Sequence, residues 1–191
     1  MAMDTKRRRL AERPDIILDA ANVVLRDRGA RGLTIDAVAA AAGLSKGGVL
    51  HHYGSKDALV AALVARKLTS LQSGIAECEA GQAPGPASLA LAMVEHFSKT
   101  YCDDDEFSRA LLVASIENPD ALADYRSFVA ERLGRLAETE RGRGPGAAVF
   151  FALLGLAMAR TLGFYQLPPE DTEPMMETLR RVARGDTPDA S

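Results

Sequence analysis

The sequence predicts an all-α chain of about nine helices, and three observations carry that expectation. Ala and Leu are abundant, aromatic residues make up 5% and Trp is absent, a mixture that favours helices because Ala and Leu lose little side-chain freedom there. Apolar residues recur at spacings of three and four, with no sustained strand-like alternation. The breaks between these stretches fall at Gly, Pro, Asn and Asp, which stop and start helices. With 191 residues, 47% hydrophobic and 26% charged, the chain has the composition of one globular domain or two small helical ones.

Residues 1–12 are expected to be a flexible arm, with four consecutive bases from Lys6 to Arg9. Such a run is either an arm that reaches a nucleic-acid groove or an ordinary basic terminus. Pro14 suits the first turn of a helix, and Ile16/Ile17, Ala20/Ala21 and Val24/Leu25 recur every four residues until Gly29 and Gly32 stop it. Thr34 N-caps a second helix with Ile35, Val38 and Ala39 on one face, ending at Gly43. Ser45 opens a short third helix through Tyr53, closed by Gly54. Ser55 caps a fourth, which runs to Glu79 with Leu59, Leu63, Leu68, Leu71 and Ile75 as its inner side. At ~1.5 Å per residue this helix is roughly 36 Å long. Ala80 to Pro86 reads as a linker, and further helices are expected at 87–102, 106–117, 119–141, 146–165 and 170–184. Their breaks are Asp103-Asp104-Asp105, Asn118-Pro119, residues 142–145 and Pro168-Pro169. The expected organisation is an arm (1–12), a three-helix domain (13–60), a larger helical domain (61–184) and a flexible tail (185–191).

Net charge is −3, but residues 1–68 carry +5 and the rest −8. A basic N-terminal third concentrates a favourable field for phosphates, although a solvated basic surface has the same signature. Cys78 and Cys102 are too few for a disulfide framework and read as reduced thiols. No apolar leader core follows the early bases, so a cytoplasmic chain is expected. Ala147 to Gln166 is the most apolar stretch, but Arg160 interrupts it and it falls short of the roughly 20 apolar residues of a membrane span. It is expected to be a buried helix, with no membrane partner.

The informative stretch is Thr34 to Leu59, two short helices joined at Gly43-Leu44 and followed by the capped start at Ser55. Gly43 suits the positive φ of a tight turn, and Leu44, Ile35, Val38 and Val49 would fill a small core. The second of these helices presents Ser45, Lys46, Gly47, Gly48, Leu50 and His51 about its N-terminal end. Two helical glycines cost ~1 kcal/mol each relative to Ala, and close approach to base edges in a major groove would offset that cost. A loose turn would explain the pair equally well.

Residues 14–60 resemble the DNA-binding domain of the TetR family of bacterial regulators. The resemblance rests on Thr34, the run Ala41-Ala42-Gly43-Leu44-Ser45-Lys46-Gly47, the pair His52-Tyr53, and Ser55-Lys56 followed by Ala58-Leu59. It implies that Thr34 caps its helix and donates to phosphate, and that Lys46, Gly47, Gly48 and His51 face the groove. It further implies that His52 and Lys56 meet phosphate and that Tyr53 packs into the small core. Leu50 stands where the family usually has a Tyr that bonds the DNA backbone; it either touches a thymine methyl or packs inward.

In the C-terminal half, Met93, Phe97, Tyr101, Phe107, Leu111, Tyr125, Phe128, Phe151 and Met158 lie at helical spacing and line either the core or an effector pocket. His96, Arg109 and Arg126 are candidate polar anchors. The resemblance implies a small-molecule effector, largely apolar, bound in this half. Ala147 to Tyr165 is apolar nearly all round and so needs two burial partners. The resemblance makes the second partner the same helix of another subunit, with helix 170–184 completing a homodimer interface through Phe150, Leu154, Ala157, Thr161, Tyr165, Met176 and Leu179.

The expected function is thus a ligand-responsive regulator of transcription, a repressor acting as a homodimer on double-stranded DNA at a palindromic operator. The alternative is a helical small-molecule-binding protein whose helix-turn-helix does not engage DNA. No enzyme motif appears, and neither a cofactor nor a metal is expected. His51-His52 has no ligand four residues on, and the acidic run 103–106 lacks the glycine and later Glu of a calcium loop.

Overall fold

The computed structural model describes residues 13–101, 106–138 and 144–186. The expected arm, Phe107's side chain, Cys102, the acidic run 103–105 and the end of the tail lie outside what is described. Among the described residues there are nine α-helices and one 3-10 turn, with no strand. They are α1 (Arg13–Gly32), α2 (Ile35–Ala42), α3 (Lys46–His52), α4 (Lys56–Ala80), α5 (Ser88–Thr100), α6 (Glu106–Glu117), α7 (Ala123–Ala137), α8 (Gly144–Thr161) and α9 (Pro169–Arg184). The fold is all-α, as the periodicity predicts.

The chain forms two compact units. Among the described residues, one comprises 13–67 together with Arg109–Ala123; the other comprises 68–101, 106–108, 124–138 and 144–186. Helix α4 is continuous through the division at residues 67 and 68.

In the first unit, Ile17, Ala21, Val24, Leu25, Leu33, Val38, Val49, Leu59 and Leu63 are buried. Helix α1 leaves helical geometry at Gly29 (φ 66°, ψ −173°), a conformation without penalty only for glycine. Three side-chain caps start the following helices. Thr34 Oγ1 accepts from Ala37 N at 3.2 Å, Ser45 Oγ from Gly48 N at 3.1 Å and Ser55 Oγ from Ala58 N at 3.1 Å. The segment 109–123 is fastened to the start of α4, where Asn118 Nδ2 donates to the Asp57 carbonyl at 3.4 Å. Here the expected helix 119–141 is corrected. Pro119–Leu122 forms a separate 3-10 turn and α7 begins only at Ala123. Asn118 leaves helical geometry (φ −148°, ψ 77°), and Pro119, without an N–H, opens the turn.

In the second unit, one core gathers Leu68 and Ile75 of α4, Leu89, Ala92 and Val94 of α5, Phe128 and Leu136 of α7, Val149, Phe150 and Leu153 of α8, and Met176 and Leu179 of α9. Gly146 lets α8 approach α7 closely, since a methyl there would lie 2.9 Å from Leu136 Cδ2. Helix α8 is long and apolar enough, by length and composition alone, to cross a membrane, although its 18 residues stay short of the roughly 20 expected of a span. It is not buried throughout either: Val149, Phe150 and Leu153 enter the core, but Phe151 is 54% exposed. The helix ends at Thr161 rather than 165 because Gly163 turns the chain (φ 71°) and Phe164 N caps back to the Ala159 carbonyl at 2.8 Å.

Candidate nucleic-acid interface

Helices α2 and α3 are held by the turn between them. Gly43 takes the left-handed conformation (φ 65°, ψ 30°), and Leu44 N donates to the Ala39 carbonyl at 2.9 Å. The inward residues are Val38 and Val49, both fully buried. The far end of α3 is fastened by Tyr53, whose hydroxyl donates to the Pro14 carbonyl at 3.1 Å. Burial, then the nearby Asp15 carboxylate, raises the Tyr53 pKa, with Arg66 opposing, so the phenol stays a donor. Arg66 of α4 braces the same region through Asp19 at 2.8 Å and the Asp15 carbonyl at 3.4 Å. A helix of 7 residues is marginal alone, and these ties seat it.

The rest of α3 faces outward. Ser45, Lys46, Gly47 and His51 are exposed, whereas Gly48, Leu50 and His52 are half-buried. A methyl group at Gly47 would meet nothing within 4 Å. At Gly48 it would lie 3.3 Å from Ser45 Oγ and 3.8 Å from Leu44 Cβ, so this glycine partly serves its own turn. Thr34 is exposed and Lys56 half-buried, each at a helix start. Lys46 Nζ sits 3.0 Å from Asp36 Oδ2, with the two side chains 59% and 70% exposed. An exposed pair of this kind is worth about 0–1 kcal/mol, so the lysine can transfer to another anion at little cost. His51 and His52 meet edge to face at 5.3 Å. Among the described residues no three His, Cys, Asp or Glu side chains are grouped to hold a metal.

The family model for bacterial regulatory proteins of the tetR family matches residues 17–63, and the model for the tetracycline repressor-like C-terminal domain matches residues 87–184, more than half the chain. The chain belongs to the TetR family. It is therefore a transcriptional regulator with a DNA-binding helix-turn-helix and a C-terminal helical domain of the ligand-binding kind, and its family is one of regulators rather than enzymes. Solved TetR structures share the fold. A TetR-like transcriptional regulator from Rhodococcus sp. RHA1 is 23% identical with a TM-score of 0.70, over 91% of this chain and 94% of that one. A TetR member from Streptomyces coelicolor A3 is 25% identical with a TM-score of 0.65, over 90% and 98%. The multidrug binding protein EbrR, complexed with imidazole, is 25% identical with a TM-score of 0.61, over 90% and 89%. No curated protein matches the chain.

The C-terminal candidates of this TetR regulator divide. Met93, Tyr101 and Phe128 are buried, while Phe97, Tyr125 and Met158 are half-buried. Tyr101 is committed to packing: its ring stacks on Phe97 at 5.1 Å, the Arg160 guanidinium lies 5.3 Å from its centre, and its hydroxyl accepts from Leu167 N at 2.8 Å. Leu111 groups with the first compact unit. Phe151 faces solvent and is not enclosed by its own chain, which corrects its expected place in a pocket. Of the polar anchors, His96 is half-buried and Arg126 exposed. Arg109 groups with the first unit.

The dimer candidates divide as well. Phe150, Met176 and Leu179 belong to the core of their own unit. Leu154, Ala157 and Thr161 are half-buried and Tyr165 exposed. The exposed apolar residues here are Phe151, Leu162, Phe164, Tyr165 and Met175. Four of these the sequence did not assign to an interface. Phe150 and Phe151 are neighbours in a helix apolar all round, so periodicity could not say which of them points inward.

Proposed function

We propose that this TetR regulator is a homodimeric, ligand-responsive repressor that covers a palindromic operator in the cytoplasm. The observation that carries the reading is the seating of α3: fixed from behind by Val49 and Tyr53, and open in front at Gly47. Its DNA-facing set is Thr34, Ser45, Lys46, Gly47, Gly48, Leu50, His51, His52 and Lys56. The N-terminal end of α3 would enter the major groove, with Thr34, His52 and Lys56 on flanking phosphates. Half-buried Leu50 fits a thymine methyl beside its own packing.

The second copy would dock on α8 and α9 through Phe151, Leu154, Ala157, Thr161, Leu162, Tyr165 and Met175, because their exposed apolar surface needs a partner that one chain does not supply. Two-fold symmetry then presents two copies of α3 to successive half-sites. An effector bound among the helices of the second unit would act by favouring a dimer geometry that no longer fits the operator, with the continuous α4 as the transmitting element. EbrR, by its description a multidrug binding protein, supports a small-molecule effector.

The test is a gel shift against the DNA upstream of its own coding region over a salt series, with sedimentation to give the stoichiometry. A salt-sensitive, sequence-specific complex of two chains per site is expected. Loss of specificity against unrelated DNA favours instead a helical ligand binder with an idle helix-turn-helix.

A further inference from the structure

Arg132 of α7 is the one buried charged residue among the described residues, 8% exposed. Its Nε is buried without a hydrogen-bond partner. The carboxylate approaching it is Glu131, whose Oε1 lies 3.8 Å from Nη1, beyond hydrogen-bond distance, on a side chain that is itself exposed. The guanidinium carbon sits 5.1 Å from the centre of the Phe128 ring. Phe128 in turn stacks on Tyr125, with ring centres 6.0 Å apart and planes at 25°. Residues 125, 128 and 132 are spaced by three and four and therefore share one face of α7. They make a strip, aromatic, aromatic and guanidinium, about 10 Å long at ~1.5 Å per residue.

A buried guanidinium beside aromatic rings, with its Nε–H unmet, is unfavourable in the protein alone, and an apolar side chain of similar length would fill the same place at lower cost. Helix α7 is fastened by the Arg135–Glu79 ion pair to α4 and by Leu136 against Gly146 of α8. What the arrangement suits is a ligand that brings its own carboxylate. The planar fork of Nε and Nη donors matches a carboxylate in two-point geometry. The apolar wall around it penalises a doubly charged phosphate more than a singly charged acid.

We propose that the Tyr125–Phe128–Arg132 strip is the seat of a monocarboxylic acid with an apolar tail. The head group pairs with Arg132 and the tail lies along Phe128 and Tyr125. This assignment rests on reading the second unit as the effector-binding part, and it makes the effector an organic anion.

The experiment uses the full chain and the straight-chain acids from hexanoate to dodecanoate, each against the alcohol of equal length, by thermal shift and calorimetry. At least one acid is expected to raise the melting temperature where its alcohol does not. Arg132→Met should weaken binding of that acid by about tenfold to a hundredfold, the range for a lost charged hydrogen bond. Equal responses to acids and alcohols, or an R132M chain that binds the acid as the parent does, overturn the proposal. The acid–alcohol comparison needs no variant and decides even if R132M does not fold. DNA binding is read separately on the same samples. Intact operator binding with no acid–alcohol difference overturns the carboxylate seat and leaves the repressor standing. An acid site without operator binding overturns the repressor reading and leaves the seat.

Discussion

Gly47→Ala separates what α3 needs for folding from what it needs for DNA. Gly47 is the second residue of α3, after the Ser45 cap and Lys46, and it is not among the residues with positive φ. An alanine therefore fits its backbone, and the added methyl meets nothing within 4 Å. Within the protein the change removes only unfolded-state freedom, worth about 0.5–1 kcal/mol at a helical site. For a chain of this length that is a rise of roughly 1–4 °C in melting temperature. Against DNA the same methyl would intrude where the backbone of α3 meets base edges, and overpacking of one methyl costs about 1–3 kcal/mol. That is about five- to a hundred-and-fifty-fold in operator affinity. Calorimetric melting and fluorescence anisotropy on labelled operator read the two effects in one preparation. A variant that melts higher yet binds operator as tightly as the parent would refute the argument, because the open side of Gly47 would then not be the side DNA approaches. Gly48→Ala provides the contrast. Its methyl lies 3.3 Å from Ser45 Oγ, so it presses on the helix cap and should give little or no gain in stability.

Lys56→Ala should weaken binding to every duplex, operator or not, and reduce the salt slope by about 1, the signature of one lost phosphate contact; unchanged salt dependence would remove Lys56 from the docking face. Thr34→Ala and Ser45→Ala each delete an acceptor for a backbone N–H and should cost about 1 kcal/mol in denaturant unfolding. Gly74→Ala puts a methyl on the His96 imidazole, which must swing aside, so the gain of about 1 kcal/mol from alanine in a helix interior should be offset and the variant should melt no higher than the parent. His96 itself gives a pH test. Burial first, then Lys99, lowers its pKa from 6.5, with Glu77 opposing, so the folded chain holds the imidazole neutral where the unfolded chain has begun to protonate it. Stability should therefore fall as pH drops below about 6.5, and His96→Gln should flatten that stretch of the curve measured by urea unfolding.

How much of this was legible in the sequence follows from how local each feature is. Thr34, Ser45 and Ser55 could be read as caps because a cap is decided within four residues, and each makes its bond to the N–H three residues on. Gly43 was legible for the same reason: a tight turn between two apolar-periodic stretches demands positive φ. The 3-10 turn at Pro119 was not legible, although Asn118-Pro119 was. A proline can open a helix as readily as a turn, and the Asn118–Asp57 bond that accompanies the turn spans 61 residues. Tyr53 was expected in the core, but its hydrogen bond to Pro14 joins positions 39 apart and has no trace in either local pattern.

Helix α8 shows the limit most clearly. Amphipathic helices announce their inner face through the phase of polar residues, and a helix apolar on every side has no phase to read. Phe150 and Phe151 are therefore equivalent in sequence, and only the packing of α5, α7 and α9 makes one a core residue and the other an exposed one. Arg132 presents the opposite problem. Its charge invites a surface assignment on α7, where Arg126, Glu131 and Arg135 are exposed, yet the rows of Phe128 and Leu136, four residues either side, carry it inside. Spacing alone thus places a charge among aromatic rings. On the proposed carboxylate seat, a partner outside the chain offsets the cost of an arginine at such a position, and the choice between acid and alcohol as that partner is the measurement on which the chemistry of this regulator's effector turns.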